Sequence, residues 1–75
     1  MNERLQNIMA NVFGIKLEEI NDQTSVENCE YWDSFQHMSL IVAIEEEFNI
    51  TLDDDEVLRM KDFISIINVL ENHCN

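Results

Sequence analysis

Trp32-Asp33-Ser34-Phe35-Gln36-His37-Met38-Ser39-Leu40-Ile41-Val42-Ala43-Ile44-Glu45-Glu46-Glu47-Phe48 is the stretch that decides the fold. At about 100° per residue, His37, Leu40, Ile41, Ile44 and Phe48 gather on one side of a helix. Phe35, Met38 and Val42 form a second apolar stripe roughly 140° away from the first. The first stripe can build a core, whereas the second needs a partner. Asp33 and Ser34 can each cap the free N–H groups of a helix start, so the pattern predicts a helix that opens there and ends near Phe48.

Upstream, Leu5, Ile8, Met9, Val12 and Phe13 follow one helical stripe, and Gly14 stands where a left-handed cap would end it. This predicts a first helix over 2–13. From Ile15 to Trp32, about 18 residues, the periodicity fades and Asn21, Asp22, Thr24, Ser25 and Asn28 favour turns. Ile15, Leu17, Ile20 and Val26 are expected to anchor this long loop onto the helices. Downstream, Asn49-Ile50-Thr51-Leu52 breaks the pattern. Asp53 to Asp55 give the acidic start of a short third helix through Val57, Leu58 and Met60. A fourth helix begins after Asp62, with Phe63, Ile66, Ile67 and Leu70 on one stripe. The expectation is an all-α four-helix bundle, with three main helices, one short helix and a long first loop. Residues 1–75 are expected to form a single domain with a thin core.

With 45% apolar residues, one Gly and no Pro, the composition argues against disorder and against a turn-rich β fold. The net charge is −12, from 16 acidic and 4 basic residues, and no Lys or Arg lies between Lys16 and Arg59. Such a field repels nucleic acid and anionic membrane, and its natural counterparts are basic protein surfaces or cations. No apolar run approaches the roughly 18 residues of a membrane span, and Met1-Asn2-Glu3-Arg4 has no signal or transit character. A cytoplasmic protein is expected.

Cys29 and Cys74 have no regular spacing and are expected to be reduced thiols. His37 and His73 have no Cys or second His at ligand spacing, so no zinc site is expected. Asp53-Asp54-Asp55-Glu56 lacks the alternating ligands and central Gly of a calcium loop, which favours a solvated helix start. Tyr31 and Trp32 are expected to pack the end of the loop. His37 is expected to be partly buried at the mouth of the core, where it either fills space or lines an entrance.

Ser34 is the residue with chemistry to offer. A nucleophile in its own enzyme needs a base and an orienting group, yet His37 projects with the core stripe. The Gly-x-Ser-x-Gly elbow and an oxyanion loop are both missing. Two other uses remain: a plain helix cap, or an attachment point for a phosphodiester at the positive end of the helix, with the base supplied by another enzyme.

Asp33-Ser34-Phe35, followed by Leu40, Ile44 and Glu45-Glu46-Glu47-Phe48, resembles the Asp-Ser-Leu motif and second helix of acyl carrier proteins. The resemblance extends over nearly the whole chain, from the first helix through the acidic loop to the last helix. It implies a four-helix bundle whose Ser34, next to Asp33, receives 4′-phosphopantetheine from coenzyme A through a phosphopantetheinyl transferase. Acyl groups would ride as thioesters on the arm, which makes the protein a carrier and not an enzyme. Phe35, Met38 and Val42 occupy positions by which such carriers dock with acyl-loading, elongating or transferring enzymes. Glu45 and Glu46 match acidic positions that face basic docking patches, and a monomer is implied.

The departures are Tyr31-Trp32 where small residues often precede the motif, Phe35 for Leu, and Gln36 and Ser39 at positions frequently acidic. They point to a dedicated pathway. Within the family, the alternative is an aminoacyl carrier of the D-alanyl or peptidyl type: Phe35 resembles the D-alanyl type, whereas Glu45-Glu46-Glu47-Phe48 and the heavy charge favour the acyl type. Outside it, an acidic helical adaptor or calcium-responsive module with an incidental Asp-Ser is the alternative.

Overall fold

Glycine, asparagine and aspartate residues mark the helix boundaries within the chain. A computed structural model describes the backbone of residues 2–74 and the side chains of residues 3–73. It contains α1 (Asn2–Phe13), α2 (Ser34–Phe48), α3 (Asp54–Arg59) and α4 (Phe63–Cys74), with a single 3₁₀ turn at Leu17–Glu19 in the first loop. Gly14, at φ 68°, ends α1, and its N–H and that of Ile15 both return to the Ala10 carbonyl. Asn49, at φ 56°, ends α2 in the same way, with Ile50 N–H reaching the Glu45 carbonyl. Asp53 and Glu56 cap α3 reciprocally, and Asp62 Oδ1 accepts from Ser65 N–H at 2.7 Å to start α4.

These ends aim the apolar stripes inward. Leu5, Ile8, Met9 and Phe13 of α1 meet Leu40, Ile41 and Ile44 of α2, and Phe63, Ile66 and Leu70 of α4 close the core. Met60 is fully buried although α3 stops one residue before it, so the predicted third helix is shortened to Arg59. On α4, Val69 is buried and Ile67 only partly so. Arg4 pins α1 to the end of α2, pairing with Glu47 at 2.9 Å and lying 4.4 Å over the Phe48 ring. Both ends of this pair are about half exposed, so it contributes little beyond orientation.

The expected loop anchors need correction. Ile20 is buried and Ile15 partly so, but Leu17 and Val26 are exposed. Hydrogen bonds to the loop's backbone do the tethering in their place. Phe63 N–H donates to the Thr24 carbonyl and Val26 N–H to the Lys61 carbonyl, each at 2.9 Å, while Gln6 Nε2 donates to the Ile20 carbonyl at 2.7 Å. Thr24 itself is buried, the one polar side chain so placed among the described residues. Cys29 is a free thiol, half-buried against the core. The matching expectation for the Cys74 thiol lies outside the described side chains.

Candidate functional site

Asp33 and Ser34 have different tasks at the start of α2. Asp33 is extended, its Oδ1 accepts from Gln36 N–H at 2.8 Å, and its carbonyl accepts from His37 N–H at 2.8 Å. Asp33 is therefore the cap, and Ser34 is the first helical residue, one step further on. This corrects the reading of Ser34 as a plain cap. Ser34 is exposed, and its hydroxyl has no hydrogen-bond partner among the described residues. The N–H groups of Ser34 and Phe35 likewise find no intrachain acceptor there, which leaves two donors and the positive end of a 15-residue helix beside that hydroxyl.

The residues just before and after the motif hold this start rigidly. Trp32 is 3% exposed, its ring centroid is 5.5 Å from that of Phe13, and it stacks on His37 at 6.1 Å. Its indole N–H donates to His37 Nδ1 at 2.9 Å, and His37 Nε2 lies 3.0 Å from the Val57 carbonyl oxygen. An indole nitrogen can only donate and a carbonyl can only accept. The two contacts together assign a neutral His37 with its proton on Nε2. The half-buried imidazole thus bridges the loop before α2 to the middle of α3. Tyr31, expected beside Trp32 at the loop end, is half exposed instead.

Outside this bridge lies an open groove of about 630 Å³ between the start of α2 and α3, with Ser34, Asp33, Met38, Val57, Leu58 and Lys61 in its lining. The second stripe of α2 runs past it. Phe35 is 78% exposed, and Met38 and Val42 are each about half exposed. Leu58, 65% exposed on α3, extends this apolar surface across the groove. No periodicity signalled that, because a six-residue helix is too short to separate an outward Leu58 from an inward Met60. Phe35, Met38, Val42 and Leu58 thus form an exposed apolar cluster on a surface otherwise rich in carboxylates.

The two acidic positions next to the stripe differ. Glu45 is half-buried, and its Oε2 accepts from Leu52 N–H at 2.8 Å, which fastens the α2–α3 connection. Glu46 is exposed and has no partner among the described residues. Asp53 and Glu56 spend carboxylate oxygens on the α3 capping box, and Glu56 also meets His73 Nε2 at 2.7 Å. The acidic run is thus a helix start, as its sequence suggested. Among the described residues no helix is long and apolar enough to cross a membrane.

The comparisons with known proteins bear on the same elements. The family model described as "Phosphopantetheine attachment site" matches residues 3–70, from α1 into the last turns of α4. The chain is 32% identical over 69 residues to an acyl carrier protein of Nitratidesulfovibrio vulgaris, covering 88% of this chain and 91% of that one. It is 31% identical over 71 residues to an acyl carrier protein of Clostridium acetobutylicum, covering 95% and 92% respectively. The all-helical fold, the capped and exposed serine at the head of α2, and these matches together show that the chain belongs to the acyl carrier protein family, whose prosthetic group is 4′-phosphopantetheine.

Proposed function

We propose that Ser34 carries the 4′-phosphopantetheine arm and that the whole chain, 1–75, acts as one cytoplasmic carrier domain without catalytic activity of its own. The observation behind this reading is the exposed, unengaged hydroxyl of Ser34 at the first position of a helix already capped by Asp33. The surroundings suit a phosphodiester: the hydroxyl projects to solvent, and the free N–H groups of Ser34 and Phe35 with the helix dipole favour negative charge there. Asp33 fixes the turn from which Ser34 projects. When bound, the arm supplies a flexible tether and a terminal thiol for thioester linkage.

Partner enzymes then dock on Phe35, Met38 and Val42, with Glu46 facing basic residues of the partner. Glu45, with Oε2 engaged by Leu52 N–H, has its other oxygen for the same patch. The net charge of −12 supports partners with basic patches, the transferase among them, and a monomeric carrier. The relatives' name favours an acyl cargo over an aminoacyl one. Gln36 and Ser39, uncharged beside the attachment point, favour a dedicated pathway over general fatty acid synthesis. Incubation with a broad-specificity phosphopantetheinyl transferase, magnesium and coenzyme A tests the attachment. Intact mass should show one arm on the wild type and none on Ser34→Ala, and an arm on Ser34→Ala would contradict the assignment.

A further inference from the structure

Met38 on α2 and Leu58 on α3 are exposed apolar residues, and each directly follows a residue of the His37 bridge: Met38 follows His37, and Leu58 follows Val57. The Val57 carbonyl that meets His37 Nε2 at 3.0 Å belongs to the planar peptide unit leading into Leu58, so this one contact orients the peptide from which Leu58 projects. The helices pair closely as α1 with α2 and α3 with α4. Between α2 and α3 themselves, the contact from His37 to Val57 is the one hydrogen bond among the described residues. Glu45 holds Leu52, but it lies towards the opposite end of α2 from Ser34 and reaches only the connection before α3. A helix of six residues has little stability of its own, so the direction in which α3 presents Leu58 depends on such tertiary contacts.

Ser34, Met38 and Leu58 line the same open groove, so an enzyme that acts on the Ser34 hydroxyl comes within reach of both helices. We propose that His37 is a positioning residue for partner recognition: its bond to Val57 sets Leu58 of α3 in register with Met38 and Val42 of α2, and a partner then meets the two helices as one apolar surface. Trp32 completes the arrangement, because its indole N–H on Nδ1 keeps the imidazole proton on Nε2, where the Val57 carbonyl needs a donor. The half-buried ring has both nitrogens engaged and acts through Leu58 instead of touching the partner. An apolar side chain at position 37 would leave Met38, Val42 and Leu58 exposed but remove the bond that holds their register. The inference rests on partner docking through the exposed stripe of α2.

The test is a double-mutant cycle on the full-length carrier, read as the KM and kcat of a broad-specificity phosphopantetheinyl transferase, with folding checked by circular dichroism. In the wild-type background Leu58→Ala should raise KM by about five-fold or more, the scale of an apolar anchor at an interface, with kcat little changed. In His37→Leu the same change at Leu58 should raise KM by less than about two-fold, because the two sites are coupled. Val42→Ala, which alters α2 alone, should cost the same factor in both backgrounds. His37→Gln keeps one acceptor and one donor and should restore the full cost of Leu58→Ala. An equal cost of Leu58→Ala in wild type and His37→Leu, no cost in wild type, or no restoration by His37→Gln would overturn the proposal. If His37→Leu does not fold, Trp32→Phe takes its place, since it removes the donor that fixes the tautomer, and an undiminished cost of Leu58→Ala there would overturn the proposal equally. A Val42→Ala carrier that reacts like the wild type would instead contradict docking on the α2 stripe, and a wild-type chain that takes no arm would contradict attachment at Ser34.

Discussion

The indole N–H of Trp32 donates to His37 Nδ1 at 2.9 Å, and the same imidazole reaches the Val57 carbonyl through Nε2 at 3.0 Å. One neutral ring therefore ties the loop before α2, the first turn of α2 and the middle of α3 into a unit around Ser34. Replacing the ring with an apolar side chain strands a buried donor on Trp32 and an acceptor on Val57. His37→Leu should lower stability by about 1–3 kcal/mol in urea unfolding, the usual cost of unsatisfied buried polar groups. Nitrogen-15 resonances of the His37 ring should show a protonated Nε2 and an unprotonated Nδ1. The opposite tautomer would contradict the hydrogen-bond assignment.

The cap at Asp33 gives a second expectation. Its carboxylate satisfies the Gln36 N–H, so Asp33→Ala should cost about 0.5–2 kcal/mol of stability, whereas Asp33→Ser should cost less because a hydroxyl can still accept. Chemical denaturation of the two variants measures the difference. Equal losses would show that Asp33 acts through something other than the cap.

Met38 and Ile44 lie on the same helix with opposite exposures, about half exposed against fully buried. Ile44→Ala should lower stability by roughly 2–5 kcal/mol through the cavity it leaves. Met38→Ala should leave the melting temperature nearly unchanged while weakening partner-enzyme binding by about 1 kcal/mol or more, as exposed apolar anchors do at interfaces. Comparable melting losses in both variants would contradict the division into a core stripe and a docking stripe.

That α2 carries one buried and one exposed apolar stripe was legible in the sequence because fifteen residues give a helix about four turns in which to display its periodicity. The caps were legible for a similar reason, since Asp33, Gly14 and Asp53 each have a local backbone role that their residue type announces. Loop tethering was not. Leu17 and Val26 suggested apolar anchors, but the loop is held by main-chain bonds from Val26 to Lys61 and from Phe63 to Thr24, and backbone groups carry no residue signature. The bridge at His37 was equally hidden. Spacing placed the ring at the core's mouth, but only the fold brings Val57 to its second nitrogen, 20 residues away in sequence.

Gln36 and Ser39 leave the first turns of α2 without the carboxylates that the family often has there. A synthase patch that expects charge at both positions loses contacts worth on the order of 0.2–1 kcal/mol each when exposed. The loaded protein should therefore be a several-fold poorer substrate than a general fatty-acid carrier for chain-elongating synthases. Gln36→Asp combined with Ser39→Glu should recover part of the gap. Equal efficiency of the two unmodified carriers would contradict a dedicated role.

Attachment at Ser34 is the claim on which the carrier reading and partner docking both depend. Its most direct test is tandem mass spectrometry of the wild-type chain after incubation with transferase, magnesium and coenzyme A. The fragment ions should place a single phosphopantetheine on Ser34, and the Ser34→Ala chain should emerge at its unmodified mass. An arm found on Ser25 or Ser39, or a wild-type chain that stays unmodified under conditions that fully load another acyl carrier protein, would contradict the account.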